Sequence, residues 1–427
     1  MLRSRQYVAL VVFGAIVGAP VAAVAFFFLK GVAELQHFAF TTLPKDVGFS
    51  GEPMWWPVAV LALCGVLVSL AIRYLPGNGG HVPAEGFKAS GAVSPADLLG
   101  IAAAAVATLS LGAVLGPEAP LIAIGSGLGV LAIRLLKRDT PATASAVIGA
   151  AGSFAAISTM FGSPLPAAFL LMEVAGIGGP MLGVILVPGL LAAGIGSLIF
   201  VGLDNLTGFG TFSLAVPNLP AAGTPTVSEF LWAVPIGILG AVLGVGIRRL
   251  ALAIQPVVAR RILLLTPLVG VGVGCLAVAF AEGTSHGSSQ VLFSGQDALT
   301  PLVEDPAAWS VGALLLLIVC KGLAYSLSLS AFRGGPTFPG MFIGAAGGIA
   351  LSHLPGLPAA AGAAMGIGAM SVAMLGLPLT SVLLVSVLLA AEGLALLPLV
   401  IVSVTVAYIA AARLMPAPAE HSSAGAQ

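Results

Sequence analysis

The sequence predicts an all-α, polytopic integral membrane protein built from two inverted repeats with broken and re-entrant helices. Composition is the first observation. Of 427 residues, 59% are apolar and 7% charged, whereas soluble domains carry roughly a quarter charged residues. The second is a duplication. Gly116-Pro117-Glu118-Ala119-Pro120-Leu121-Ile122-Ala123-Ile124-Gly125 and Gly335-Pro336-Thr337-Phe338-Pro339-Gly340-Met341-Phe342-Ile343-Gly344 both read G-P-x-x-P-x-x-x-I-G. A further pair keeps the register: Pro164-Leu165-Pro166 follows the first copy and Pro378-Leu379-Thr380 the second, at nearly the same offset. Third, several apolar runs are too short to span. A hydrocarbon core about 30 Å thick needs ~20 helical residues, so the runs starting at Pro117, Pro164 and Pro336 read as parts of broken or re-entrant pairs, buried in protein. Membrane repeats commonly place a binding site at their interface, where broken helices aim their N-termini at an anionic substrate.

Arg3 and Arg5 precede an apolar run from Tyr7 to Leu29. Ala23-Val24-Ala25 resembles a signal-peptide cleavage site, but the run exceeds an h-region in length. It therefore reads as the first span, with the amino terminus cytoplasmic. Further helices are expected at 55–75, 98–114, 117–136, 143–160, 164–174, 181–203, 229–253, 262–281, 311–331, 337–353, 358–375 and 379–412. Polar connections are expected at 30–54, 76–97, 137–142, 204–228 and 282–310. Arg134-Lys137-Arg138 and Arg248-Arg249 with Arg260-Arg261 mark cytoplasmic turns. The Pro- and Gly-rich stretch 204–228 reads as the joint between an amino-terminal repeat, 1–203, and a carboxy-terminal repeat, 229–415, followed by a short polar tail, 416–427, and no soluble domain. The 16 basic and 16 acidic side chains balance to zero, which leaves no basic face for nucleic acid. Cys64, Cys275 and Cys320 lie singly in apolar runs, without metal or disulfide spacing, and read as packing residues. No metal and no cofactor is expected.

Proline is tolerated in a helix's first turn, so Pro117 and Pro336 place helix starts beside them. Glu118 then sits at a helix mouth, where free N–H groups and the positive dipole end favour an anion. The bland reading is a carboxylate capping its own dipole. An ionisable residue within a membrane is costly, and this favours function. Ionised, with an ordinary glutamate pKa of ~4.3, it occupies an anion site; protonated, it vacates the site and so acts as a gate. Thr337 takes the place of Glu118 in the second copy. Backbone N–H groups of Thr337 and Phe338, with Ala119 from the first copy, are the expected anion donors, because Pro336 has none to give. In the turn Gly77-Asn78-Gly79-Gly80-His81, His81 is a loop residue with no partner at metal spacing. Glu173 reads either as a helix-terminal carboxylate or as part of a proton route. Lys321 and Arg333 either face a vestibule, bridge to a carboxylate such as Glu392, or snorkel at the surface.

From about Gly77 to Pro398 these residues resemble the CLC family of chloride channels and proton-coupled chloride transporters. Gly116-Pro117-Glu118-Ala119-Pro120 stands where that family's G-[KR]-E-G-P helix start bears the gating glutamate. Gly334-Gly335-Pro336-Thr337-Phe338-Pro339 matches G-G-x-F-x-P with the phenylalanine displaced by one, and Lys321 and Ser330 echo an upstream lysine and serine. Pro164-Leu165-Pro166-Ala167 and Pro378-Leu379-Thr380 match P-L-A-G and P-L-T. The resemblance implies a homodimer with one pore per subunit, and anion contacts from the loop holding Gly79 and Gly80. That loop, G-S-G-I-P in the family, has a glycine here in place of the anion-contacting serine. The pore tyrosine near the carboxyl end has no counterpart, since no aromatic residue follows Tyr408, and the final family helix is truncated or missing. Transporters of the family carry two adjacent glutamates where this chain has Glu173-Val174, which looks like the channel branch.

The expected function is passage of chloride or a similar small monovalent anion across the cell (inner) membrane by a multi-pass, voltage- or pH-gated passive channel with Glu118 as gate. The alternative in the same fold is a proton/chloride or fluoride antiporter, with Glu173 relaying protons. An intramembrane enzyme such as a rhomboid-like protease would want a Ser/His pair, and His81, His286 and His353 have no G-x-S-x-G partner. The chain therefore does not read as an enzyme. Cation transport is disfavoured, because the duplicated elements present helix N-termini.

Overall fold

The computed structural model describes residues 4–86, 91–136, 139–176, 180–208, 216 and 223–415. Arg3, Lys137, Arg138, most of the expected joint and the tail 416–427 lie outside the described residues. Apart from one isolated bridge, the described secondary structure is helical. The first half holds α1 (Arg5–His37), α2 (Leu43–Asp46), α3 (Trp56–Tyr74), α4 (Leu98–Ser110), α5 (Glu118–Leu136), α6 (Ala142–Phe161), α7 (Pro164–Ala175) and α8 (Pro180–Thr207). The second holds α9 (Val227–Arg260), α10 (Ile262–Gly283), α11 (Gln296–Glu304), α12 (Val311–Ala331), α13 (Thr337–Ser352), α14 (Ala359–Leu375), α15 (Pro378–Leu388) and α16 (Ala390–Leu414). Among the described residues, nine helical segments are long and apolar enough to cross a membrane, and α5, expected from Pro117 to be too short, is one of them, while α7, α13, α14 and α15 are shorter. The chain is a multi-pass membrane protein. Ser4, Thr226 and Ser310 cap α1, α9 and α12 by accepting from the N–H groups of Tyr7, Glu229 and Ala313, which satisfies donors that a helix start leaves free.

The duplication in sequence is a duplication in packing. α5 lies against α6 as α13 lies against α14; α6 meets α7 and α8 as α14 meets α15 and α16; and α1 packs on α8 as α9 packs on α16. Contacts of α3 with α10 and of α7 with α15 join the halves. The closing I-G of each ten-residue motif now has a reason. A Cβ at Gly125 would press on the Gly152 carbonyl, and a Cβ at Gly344 on the Gly366 carbonyl. Small residues there let helix backbones touch, and in lipid such packing stands in for a hydrophobic drive between helices.

Three local expectations need correction. The span called a polar connection, 30–54, is helical as far as Asp46, because α1 continues through a π-turn at Phe38–Thr42 into α2. The single helix expected over 379–412 is two, α15 and α16, broken at Leu389 and Ala390, where Ala390 takes φ +47°. Cys275, read as a packing residue, is exposed, unlike Cys64 and Cys320.

The α13–α14 seam generates a test. Gly348→Val would drive a side chain into the Gly362 carbonyl, and overpacking of this kind costs about 1–3 kcal/mol or more. The thermal unfolding midpoint of the detergent-solubilised protein should fall, whereas Gly246→Ala, at an exposed α9 position with open space around it, should leave it unchanged or raise it.

Candidate functional site at the junction of the repeats

The two copies of the motif pair with each other. Gly116 N donates to Gly335 O at 2.8 Å and Gly335 N to Gly116 O at 2.6 Å, an antiparallel bridge. Around it the polar links are reciprocal: Val114 N donates to Ser328 Oγ at 3.0 Å and Arg333 N to Thr108 Oγ1 at 3.3 Å. The end of α4 and the end of α12 thus exchange hydroxyl caps across the junction. From it α5 and α13 depart, and both N-termini face the centre of the protein.

Glu118, fully buried, does not stay on its own helix mouth. Its Oε1 accepts from Thr337 N at 3.0 Å and from Phe338 N at 3.1 Å, the first free donors of α13 in the opposite repeat. A carboxylate therefore occupies the place that a helix N-terminus offers an anion. The glycines of the bridge make this possible, since a Cβ at Gly116 or Gly335 would collide with the Glu118 carboxylate. Oε2 is buried and makes no close hydrogen bond of good geometry, and the Thr337 hydroxyl and the N–H of Glu118 itself lie beside the carboxylate. An unsatisfied buried acceptor costs about 1–3 kcal/mol, and more when charged.

Beside this plug lies a cavity of about 390 Å³, whose lining includes Gly79, Gly80, His81, Ala119, Arg333 and Pro336. The structure thus brings Gly79, Gly80 and Ala119 to one cavity that ends at the two helix mouths. His81 is tied to its own loop by a 2.8 Å contact of Nε2 with Gly86 O. Arg333 faces the cavity, but Lys321 does not. The Lys321 ammonium is buried on α12 and donates to the carbonyls of Gln290, Val291 and Leu292 at 2.9 to 3.1 Å, with the Phe342 ring 4.6 Å away. It ties a loop down, instead of facing a vestibule, bridging to a carboxylate or snorkelling at the surface. Among the described residues no group of three His, Cys, Asp or Glu side chains could hold a metal ion.

Glu173 is neither a bare helix end nor a free acid. Its carboxylate reaches α15 of the other repeat and accepts from Leu379 N at 3.0 Å, Thr380 N at 2.7 Å and Thr380 Oγ1 at 2.7 Å. Tyr325 escaped the sequence reading. It is buried on α12 and donates its hydroxyl to Pro336 O at 2.6 Å, directly behind the helix mouth that holds Glu118. A tyrosine thus reaches the junction from α12, although the chain has no counterpart of the family's tyrosine near the carboxyl end. An aromatic residue in the helix preceding a G-G-P turn was the available signal.

Residues 81–412 match the family described as voltage gated chloride channel. The chain belongs to that family, the CLC family. Among its relatives, YfeO of Salmonella choleraesuis (strain SC-B67), itself only provisionally named an ion-transport protein, is 28% identical over 363 residues, covering 84% of each chain. This CLC chain also has the fold of a CLC-type fluoride/proton antiporter, with TM-score 0.71 and 21% identity over 94% of this chain and 95% of the other. A slow cyanobacterial Cl-/H+ antiporter matches with TM-score 0.75 and 18% identity over 96% and 95%. The all-α architecture of two inverted repeats with broken helices is that of the family.

The Glu173 cap yields a second test. Removing an N-terminal cap typically costs ~1 kcal/mol, so Glu173→Ala should lower the thermal midpoint of the purified protein. Glu173→Gln, which keeps one acceptor oxygen, should lower it less. Equal midpoints for all three proteins would show that the carboxylate does not hold the α7–α15 contact.

Proposed function

We propose that the chain moves chloride, or another monovalent anion of similar size, across the cell membrane along the path that Glu118 closes, and that this movement is linked to protons. The observation that carries the reading is the Glu118 carboxylate resting on the N–H groups of Thr337 and Phe338. Anion and carboxylate compete for the same two donors. The side chain surrenders them when it is protonated, because a neutral acid gains less from a helix mouth than an anion does. The Gly79–Gly80 loop and Ala119 supply the walls of the approach, and we read that approach as cytoplasmic, together with the amino terminus, although Arg248, which donates to Glu85 O beside the cavity, sits within α9 and not in a turn. As the resemblance implies, two copies pair and each holds its own path. The named activities of the two antiporters of the same fold agree with proton linkage.

Passive conduction is the second reading, and one observation favours it. Glu173 is engaged with α15 by three hydrogen bonds, and Val174 beside it cannot carry a proton. On this reading protonation only opens the gate and does no transport work.

Proteoliposomes loaded with chloride and diluted into low chloride separate the two. Proton movement against its gradient, driven by the chloride gradient, is the expected result; chloride loss with a clamped voltage and no proton movement supports conduction. As pH rises, Glu118 ionises and keeps the helix mouth, so flux should fall. Glu118→Gln cannot ionise, and its flux should be high and flat with pH. A wild-type pH profile in that variant would remove Glu118 from the gate.

A further inference from the structure

We infer that Arg333 is a ligand for the permeating anion and supplies as a charge what the glycine loop no longer supplies as a hydroxyl. This rests on the anion-transport reading above. Arg333 lies between α12 and α13, two residues before the Gly335 bridge, and is only 8% exposed. What remains accessible lines the 390 Å³ cavity. Its Nε donates to Asn78 O at 3.4 Å and its Nη1 to Phe332 O at 3.2 Å. A guanidinium carries five N–H donors and cannot be neutralised in a protein, so these two carbonyls leave donors of a permanent cation turned to the cavity.

Two further observations point the same way. Gly79 has φ +72°, and a Cβ built on it would lie 3.3 Å from Arg333 Cγ, 3.0 Å from Ile72 Cγ1 and 3.1 Å from Ala104 Cβ. The stem of Arg333, with Ile72 and Ala104, packs against this loop position and leaves little room for a side chain there. Second, the reciprocal hydrogen bonds at the junction make Val114 the counterpart of Arg333, and Val114 is fully buried. The duplicated architecture therefore needs no charge at this position.

The surroundings fit an anion as well. Asp97 and His81 line the same cavity, and the Glu85 charge is near enough to act on Arg333, but the contacts that Arg333 itself makes among the described residues are to neutral carbonyls. A buried cation without a fully matched partner is costly, and a halide or nitrate with a few waters, each about 30 Å³ in the liquid, fits the available volume. Ala119 and Pro336 close the same cavity, so an anion beside Arg333 is one step from the donors that Glu118 occupies.

Bromide provides the probe. Crystals of the wild-type protein and of Glu118→Gln grown in bromide should show anomalous density against the Arg333 guanidinium, and the variant should show a second peak at Thr337 and Phe338. In bromide flux, Arg333→Gln should raise the half-saturating concentration roughly tenfold or more, the scale of a lost charged hydrogen bond, while Arg333→Lys should retain much of the affinity. Wild-type crystals settle the case even if Arg333→Gln fails to fold. Bromide at the helix mouth of Glu118→Gln with none at Arg333, or an unchanged half-saturation in Arg333→Gln, would overturn the assignment and leave the transport reading standing. Absence of both bromide and anion flux in wild type and Glu118→Gln alike would overturn the two together.

Discussion

A carboxylate from one repeat held on the helix mouth of the other is the interaction on which the site depends. For Glu118 to reach Thr337 N and Phe338 N, α5 and α13 must begin near each other in the protein interior. Both chains must arrive without side chains in the way, hence Gly116 and Gly335. Both first turns must leave N–H groups unspent, and the proline beside each start accepts that condition at no cost to the helix. Because the backbone around the bridge is irregular, protein has to cover it, since lipid offers no hydrogen bonds. The mutual pairing of Gly116 with Gly335 and the exchanged hydroxyl caps from Ser328 and Thr108 fulfil that requirement.

The same device appears twice, and always in one direction. Glu118 of the first half meets the start of α13, and Glu173 of the first half meets the start of α15. The acids come from one repeat and the donors from the other. At the positions matching Glu118 and Glu173 the second half has Thr337 and Val387, neither of which carries a charge. The duplicated backbone is close to symmetric in its packing, while the charges it carries are not, and a site that distinguishes two directions of approach needs such a difference. Solvent exposure separates the two instances: the Glu118 contacts are buried, whereas those of Glu173 lie partly or fully in the open. Only the first stands between a cavity and a sealed helix mouth.

Much of this was legible because duplication and proline placement are local signals. G-P-x-x-P fixed where two helices begin, and repetition of the motif implied that the starts face each other. The family could be read from Gly116–Gly125 and Gly335–Gly344 with Pro164 and Pro378. What could not be read was which mouth a side chain would choose. Glu118 is as close in sequence to its own helix start as a residue can be, yet it binds the other one, because pairing of the repeats puts Thr337 N within reach. Glu173 was left between a helix end and a proton route, and its partner lies in another repeat, at Thr380. None of the three roles open to Lys321 from sequence is the one it has, for the opposite reason. Its partners are consecutive loop carbonyls, which any sequence provides and no sequence marks. The break at Ala390 was invisible because it falls within an unbroken run of helix-forming residues, and intrinsic propensity yields to tertiary packing.

On the proposed reading, exclusive occupancy of one helix mouth by either an anion or Glu118 has a thermodynamic consequence that holds for exchange and for conduction alike. An anion that takes the donors of Thr337 and Phe338 displaces the carboxylate. The displaced carboxylate has lost two N–H donors that favoured its ionised form and has left the buried mouth, so anion and proton binding are linked through it. Linkage is reciprocal: whatever factor the anion contributes to proton binding, the proton contributes to anion binding. The junction therefore couples the two ligands through a single side chain, without a second titrating residue at the site. Whether that coupling performs transport is then a matter of access. If protons reach Glu118 from one face only, the linkage appears as pH-dependent opening. If they reach it from both faces, alternately with the anion, the same carboxylate becomes the exchanger, and the residues that decide between these outcomes lie along the proton's path rather than at the anion's.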